Sequence, residues 1–332
     1  MTPALQVRAL RKTFQRRVRS PGWRGLVRSL VAPESSEYEA LRGLDFTVDA
    51  GESLALIGPN GAGKSTTIKL LTGILHPTSG EALVLGMQPW RERARLSLNI
   101  ASVFGQRSQL WYDLPAADSF DLLARIYELP RDEYRTRRAA LVRRFELEPL
   151  LETPVRKLSL GQRMRCEIAG ALLHRPRVLF LDEPTIGLDV LAKQEIRNLV
   201  RELNRDEGVT VLLTSHDAGD IQHLCERMLL INHGSLICHD RVSVLSRRYL
   251  RQKIVDVQLE RPVPELPDFE FASVLERRPL GFKLALDLER GAQGELLSRL
   301  LTELPIADLT IQDPPLEDII GNMYRDLPGL GS

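Results

Sequence analysis

The segment Gly58-Pro59-Asn60-Gly61-Ala62-Gly63-Lys64-Ser65 constrains this chain more than any other. It fits the phosphate-loop pattern G-x-x-x-x-G-K-[ST] in full. Ser53–Ile57 before it is an apolar run of strand length, and a helical pattern starts at Lys64. Strand, glycine loop, helix is the context in which the pattern carries chemistry. The glycines let the backbone curl until successive N–H groups face one anionic centre. The positive end of the following helix aims at the same place. Lys64 adds a point charge for the β- and γ-phosphates, and the Ser65 hydroxyl is a magnesium ligand. Thr66, in the first turn of that helix, is grouped with the loop as nucleotide-binding.

Val178-Leu179-Phe180-Leu181-Asp182-Glu183 is the second element: four apolar residues ending in two acids. A buried strand delivers Asp182 at its carboxyl end, where doubly wound sheets bind ligands. Asp182 is expected to hold magnesium, and Glu183 to orient or deprotonate the attacking water. Thr210–Leu213 is a further continuous apolar strand, separated from the first by a helix over roughly Leu191–Glu207. Buried strands alternating with helices imply an α/β fold with a largely parallel sheet covered on both faces.

These elements define only a phosphate-loop nucleoside triphosphatase. Leu158-Ser159-Leu160-Gly161-Gln162, heading a helical stretch shortly before Asp182, resembles the signature sequence of ATP-binding-cassette (ABC) ATPases. Their consensus is L-S-G-G-Q; Leu160 replaces the first glycine, while Ser159, Gly161 and Gln162 match. Three further features fall in that family's order. Gln106, in Val103-Phe104-Gly105-Gln106-Arg107, resembles the Q-loop glutamine, with Gln109 as the alternative. Ile186-Gly187-Leu188-Asp189 resembles the D-loop that crosses to a partner subunit. His216, after the strand at Thr210–Leu213, resembles the switch histidine that contacts the γ-phosphate. Phe14 matches the place of the adenine-stacking aromatic, with Tyr38 as the runner-up.

The resemblance covers about Leu5 to Leu245. It implies the ABC ATPase fold, a mixed-sheet core with a helical subdomain, and ATP with Mg2+ as ligands. It also implies a composite site, in which Lys64, Ser65, Gln106, Asp182, Glu183 and His216 of one subunit meet Ser159, Gly161 and Asp189 of another. Gln106 joins Ser65 and Asp182 as an implied metal ligand. With every motif present in one chain, a homodimer holding two ATP is expected. Its partner is a polytopic membrane permease, docked near Trp111-Tyr112-Asp113-Leu114-Pro115. The Phe104–Pro115 stretch and the ending Asp308–Ile320 are similar to the drug- and polysaccharide-export branch.

Domain organisation reads as an ATPase domain over 1–250 and an α+β accessory domain over 251–332. The former includes a helical subdomain over about 107–175 and an Arg-rich insertion over 16–37. Strands are expected at Leu5–Leu10 and Gly43–Val48 on either side of that insertion. The insertion could form a basic amphipathic helix around Trp23–Val31 or a solvated loop. In the accessory domain strands are expected at Ile254–Leu259, Phe271–Arg277, Phe282–Leu288 and Ile306–Ile311. Helices are expected there at Gly294–Glu303 and Leu316–Tyr324.

Composition excludes several classes. A formal net charge of +1 over 332 residues argues against a general nucleic-acid binder. Three widely spaced cysteines suit a reducing compartment. No run approaches the roughly 18–20 apolar residues of a membrane span, and Met1–Leu10 lacks the apolar core of a secretory signal. The expected location is therefore the cytoplasmic face of a membrane, through the permease. A soluble ABC ATPase acting on nucleic acid or ribosomes is the alternative. It is disfavoured by the single cassette and by the absence of sustained heptads between Lys64 and Ser159. His223, Cys225, His233, Cys238 and His239 crowd one stretch, but their spacing matches no usual zinc pattern.

Overall fold

A computed structural model describes residues 3–17, 35–105, 108–250, 252–263, 272–288 and 293–325. The chain divides into two compact units, Met1–Val242 and Ser243–Ser332.

The first unit opens with a long antiparallel hairpin, β1 (Leu5–Arg17) and β2 (Ser35–Val48). β3 (Ser53–Ile57) leads into helix α1 (Lys64–Leu71), and β4 (Ser79–Val84) returns to pair with β1. Helix α2 (Arg93–Ser97) precedes β5 (Ile100–Phe104). The helical region follows as α3 (Ala116–Ile126), α4 (Arg131–Arg144) and α5 (Leu160–Ala171). Then come β6 (Val178–Asp182), α6 (Val190–Glu207), β7 (Thr210–Thr214), α7 (Ala218–Leu224), β8 (Arg227–Asn232) and β9 (Ser235–Arg241). Helix α8 (Val242–Arg248) follows, with Val242 the last residue of this unit and Ser243–Arg248 in the second.

The hairpin corrects the sequence reading. Strands expected to stop at Leu10 and to start at Gly43 continue to Arg17 and from Ser35, with Arg17 opposite Ser35. Residues 16–17 and 35–37 are therefore paired strand, not insertion. Their charged and polar side chains hide the signal, because a ladder is held by backbone bonds whatever the side chains carry. The segment Trp23–Val31, weighed as an amphipathic helix, lies outside the described residues.

Two sheets build the core of this unit. β2-β1-β4 is antiparallel, and the six-stranded sheet runs β5-β6-β7-β3-β8-β9. Its strands are parallel except at β8–β9. β3, β6, β7 and β8 are almost wholly buried, which is why they read as unbroken apolar runs. Leu5, Leu44, Leu54, Leu56, Ile68 and Phe180 belong to one apolar cluster joining both sheets to α1. The α/β expectation with a mixed sheet holds.

The helices begin and end for local reasons. Pro130 precedes α4, Asp132 and Glu133 occupy its first turn, and Arg143 and Arg144 its last, all complementing the helix dipole. α6 starts at Asp189, whose carboxylate accepts from the Ala192 N–H at 2.9 Å, and stops at Gly208 in the left-handed region. Arg137 and Arg144 of α4 both pair with Glu207 at the end of α6, Arg137 at 2.7 Å and Arg144 at 3.1 Å.

One packing contact gives a pH prediction. The rings of Tyr127 and His174 stack 3.8 Å apart at 7°. His174 Nε2 donates to the Ile100 carbonyl at 2.9 Å, and Nδ1 is buried without a partner. Burial pushes the imidazole below its ordinary 6.5, against the pull of that hydrogen bond. Below pH 6.5 the unfolded chain therefore binds a proton that the folded chain refuses. The contribution to stability is present above the unfolded value and is lost as pH falls toward the folded one. Melting temperature should drop more steeply between about pH 7 and about pH 5 in the wild type than in His174→Gln.

The second unit is an antiparallel sheet ordered β11-β12-β10-β13. Its strands are β10 (Gln252–Leu259), β11 (Ala272–Arg278), β12 (Gly281–Asp287) and β13 (Ile306–Gln312). Leu296 and Leu300 of α9 (Gln293–Glu303) pack with Val255, Val257, Phe282 and Leu284. Helix α10 (Leu316–Arg325) buries Leu316, Ile319 and Met323, spaced to share one face. Among the described residues, no helix is long and apolar enough to cross a membrane.

Candidate functional site

The carboxyl ends of β3, β6 and β7, neighbours in the sheet, converge on one cavity of about 730 Å³. Asn60, Gly61, Ser65, Asp182, Glu183 and His216 line it, together with Phe104 and Ile186. The loop over Gly58–Gly63 bends tightly beneath. A Cβ on Gly58 would come within 2.3 Å of the Ile231 carbonyl, so only glycine fits. Gly63, at φ 111°, adopts a conformation closed to other residues and caps α1. Pro59 and Ala62 complete the turn through the Ala62 N–H, which donates to the Pro59 carbonyl at 3.1 Å. Thr66 follows Ser65 inside α1.

Lys64 is buried, and its ammonium donates to the Gly58 carbonyl at 2.7 Å and the Pro59 carbonyl at 3.3 Å. Desolvation lowers its pKa, opposed by the nearby carboxylates of Glu183 and Asp182. A cation is thus held in a partly desolvated cradle beside two acids, where its charge can meet a phosphate.

Asp182 and Glu183 diverge at the end of β6. Asp182 Oδ1 accepts from Thr214 Oγ1 at 2.6 Å and lies 3.4 Å from Ser65 Oγ. Glu183 has φ 54°, an uncommon value for a residue with a side chain. Its N–H donates to the Thr214 carbonyl at 3.0 Å, which holds the strained turn. The turn swings Oε1 to 2.7 Å from His216 Nε2. A carboxylate partner makes Nε2 the proton-bearing nitrogen. His216 Nε2 also lies 3.5 Å from Lys64 Nζ. The cluster therefore contains one cation, one magnesium-type oxygen pair and one carboxylate aimed by an imidazole.

The donor set of Ser65 and Asp182 suits a hard divalent ion. It offers a hydroxyl and a carboxylate oxygen close together on one wall of the cavity. Among the described residues no group of three or more His, Cys, Asp or Glu side chains is assembled for a metal. Such an ion would share its coordination with phosphate and water, as magnesium does in nucleotide sites.

The other candidates lie away from the cavity. Ser159 caps α5, accepting from the Gln162 N–H at 3.2 Å while its own N–H donates to Gln162 Oε1 at 3.0 Å. This reciprocal capping box exposes a helix N-terminus with its dipole intact. Gly161 has no room for a side chain, since a Cβ would meet Ala192 at 2.9 Å. Asp189 caps α6. Phe14 and Tyr38 are cross-strand partners on β1 and β2. Lys12 holds its ammonium 5.1 Å from the Phe14 ring, and the Tyr38 hydroxyl reaches the Gly61 carbonyl at 3.3 Å. Gln106 lies outside the described residues. Gln109, its alternative, does not line the cavity; its carboxamide donates to the Ser102 carbonyl. In the His- and Cys-rich stretch, His223 is bonded to the Gly219 carbonyl and His239 contacts Arg227.

Sequence reasoning missed two residues that hold the site. Thr214 joins Asp182 and Glu183 only because β6 and β7 pair in register, Asp182 opposite Thr214. Asp220, fully buried, accepts from Thr185 and Ser215 hydroxyls and from Arg197 Nε at 2.7 Å. It bolts the turn after Glu183 to the turn carrying His216. The one signal in the sequence is an acid at an otherwise apolar position of α7, between Gly219 and Ile221. Asp220→Ala leaves Arg197 without that partner and should cost about 3–5 kcal/mol of stability in urea unfolding.

Fold and site together define a phosphate-loop nucleotide hydrolase. Residues 41–186 match the ABC transporter family, and residues 251–312 match the C-terminal domain of EvrA-like ABC transporters. The chain is 31% identical over 286 residues to the daunorubicin/doxorubicin resistance ATP-binding protein DrrA of Streptomyces peucetius, covering 84% of this chain and 86% of that protein. It is also 31% identical over 271 residues to ABC transporter A family member 8 of Dictyostelium discoideum. That match covers 81% of this chain but only 30% of that longer protein. Among solved structures, the dimeric ATP-binding cassette MJ0796, in a post-hydrolysis state bound to ADP and Pi, matches with a TM-score of 0.59 and 25% identity. That match covers 71% of this chain and 98% of the cassette. The chain belongs to the ABC transporter ATP-binding proteins and is an ABC ATPase that binds ATP.

Proposed function

We propose that this chain is the motor subunit of an exporter, closing as a homodimer around two ATP molecules and driving a separate polytopic membrane permease. In this reading residues 1–250 form the ATPase domain and 251–332 an accessory domain with a structural or regulatory role. The observation that carries the reading is the Glu183–His216 pair, which lines one cavity with Ser65 and Asp182 while His216 Nε2 stands 3.5 Å from Lys64 Nζ.

Lys64 and the N–H groups of Gly61–Ser65 bind the β- and γ-phosphates, and the α1 dipole adds to their field. Ser65 and Asp182, with Gln106, would hold Mg2+. When bound, such an ion would supply charge neutralisation for the phosphates. Phe14 stacks on adenine, with Tyr38 beside it. Glu183 takes a proton from the attacking water as its oxygen bonds to the γ-phosphorus. The bond from that phosphorus to the β–γ bridging oxygen breaks, releasing ADP and phosphate. His216 keeps the Glu183 carboxylate directed and senses the γ-phosphate. Ser159 and Gly161 present the α5 N-terminus to the partner's ATP, and Asp189 spans the joint. Loss of the γ-phosphate removes what bridges the two subunits, and they part.

Trp111 and Tyr112 are 39% and 54% exposed at the entrance to the helical region, which supports a docking role for that corner. The drug-resistance function in the name of DrrA supports the export direction. Purification of the tagged chain in mild detergent tests the partner. A polytopic membrane protein should accompany the wild type and be lost from a Trp111→Glu/Tyr112→Glu variant that melts at the wild-type temperature. Ribosomes or DNA in its place, unaffected by that variant, would overturn the transporter reading.

A further inference from the structure

Glu167 sits in the middle of α5 and is 4% exposed, flanked by the buried Cys166 and Ile168. A buried carboxylate costs several kcal/mol unless its oxygens are satisfied. Here the satisfying groups are neutral donors from one short stretch. Ser108 Oγ donates to Oε1, and the Gln109 N–H lies 3.1 and 3.0 Å from the two carboxylate oxygens. Burial still raises the acid's pKa despite those donors. Gln109 in turn donates its carboxamide to the Ser102 carbonyl of β5, and Ser102 is registered with Phe180 of β6. A continuous polar path therefore runs from the core sheet through Gln109 to α5. The N-terminal turn of that helix, with Ser159, lies two turns upstream of Glu167, about 12 Å along the axis.

Packing alone does not call for an acid at this position. A leucine or methionine would bury apolar area at no desolvation cost, whereas a carboxylate fixes the orientation of each donor it satisfies. We propose that Glu167 is a positioning residue for hydrolysis: through Ser108 and Gln109 it fixes α5 to strand β5, so that the Ser159 N-terminus meets the partner's ATP in register. The proposal rests on the two-ATP dimer described above. It separates two properties. Nucleotide binding within one subunit, which uses the Gly58–Ser65 loop, is independent of Glu167, while closure and turnover depend on it.

The test combines Glu167→Ala, Glu167→Gln and Ser108→Ala with wild-type and Glu183→Gln backgrounds. A fluorescent ATP analogue reports affinity, steady-state hydrolysis reports kcat and KM, and light scattering reports ATP-driven dimerisation. Affinity of the single subunit should be unchanged in all three. kcat should fall about tenfold or more in Glu167→Ala, with KM rising as closure needs more ATP, and both effects should be smaller in Glu167→Gln and Ser108→Ala. Dimerisation of Glu183→Gln/Glu167→Ala should need correspondingly more ATP. If Glu167→Ala does not fold, Glu167→Gln and Ser108→Ala carry the same comparison. Wild-type kcat and dimerisation in every variant that folds would overturn the role of Glu167 alone. Affinity falling in step with melting temperature would also overturn it, since Glu167 would then be structural only. A Glu183→Gln parent that stays monomeric in ATP would overturn the dimer reading, and this proposal with it.

Discussion

Glu183→Gln should reduce ATP hydrolysis by about 10²–10⁴-fold, the range associated with loss of a general base, while ATP affinity remains. The two outcomes separate because Glu183 is not part of the phosphate cradle. Its backbone is held by Thr214, and its carboxylate meets His216 at 2.7 Å. An amide keeps the size and can still accept from His216, but it is far too weak a base to take a proton from water. Colorimetric phosphate release, set beside equilibrium binding of ATP, reads both quantities on one preparation. Parallel loss of binding and turnover would instead make Glu183 a ligand-binding residue.

Lys64→Ala should act at the other step. The ammonium is buried and engaged with the Gly58 and Pro59 carbonyls. Removing it deletes the one cation facing the phosphates from within the loop. Truncation of a buried charge partner costs about 2–5 kcal/mol, so ATP should bind about 30- to 5,000-fold more weakly by calorimetry. Hydrolysis at matched ATP should fall with it. The fold should survive, because the glycine loop is turned by backbone bonds of its own, such as the Ala62 N–H to the Pro59 carbonyl. Unchanged affinity would mean that the backbone N–H groups and the helix dipole bind the phosphates without the lysine.

The parts of the site legible in the sequence are those where phosphate chemistry demands fixed residue types at fixed spacing. Gly58–Ser65 and Asp182–Glu183 read out directly, because a strand end and a helix start leave few places for such residues. The apolar runs of β3, β6 and β7 read out because both faces of that sheet are covered. What stayed hidden depends on contacts between distant segments. β4, Ser-Gly-Glu at its start, is half exposed and has no apolar run to announce it. The outer half of the β1–β2 hairpin carries Arg, Lys, Gln and Glu, and only the ladder from Arg11 to Arg17 identifies it as strand. Thr214, Asp220 and Glu167 are single polar residues whose roles come from register and burial. No spacing rule marks them. Ser159 and Gln162 show the reverse case, where a sequence motif and a local capping rule coincide on the same atoms.

The central claim is that this chain closes on ATP as a pair, with Glu183 needed to open it again. Its most direct test is the mass of purified Glu183→Gln by light scattering with and without ATP, beside wild-type hydrolysis. The account predicts a monomer without nucleotide, a dimer with ATP, and hydrolysis collapsed relative to wild type. A variant that stays monomeric in ATP and hydrolyses at the wild-type rate would contradict it.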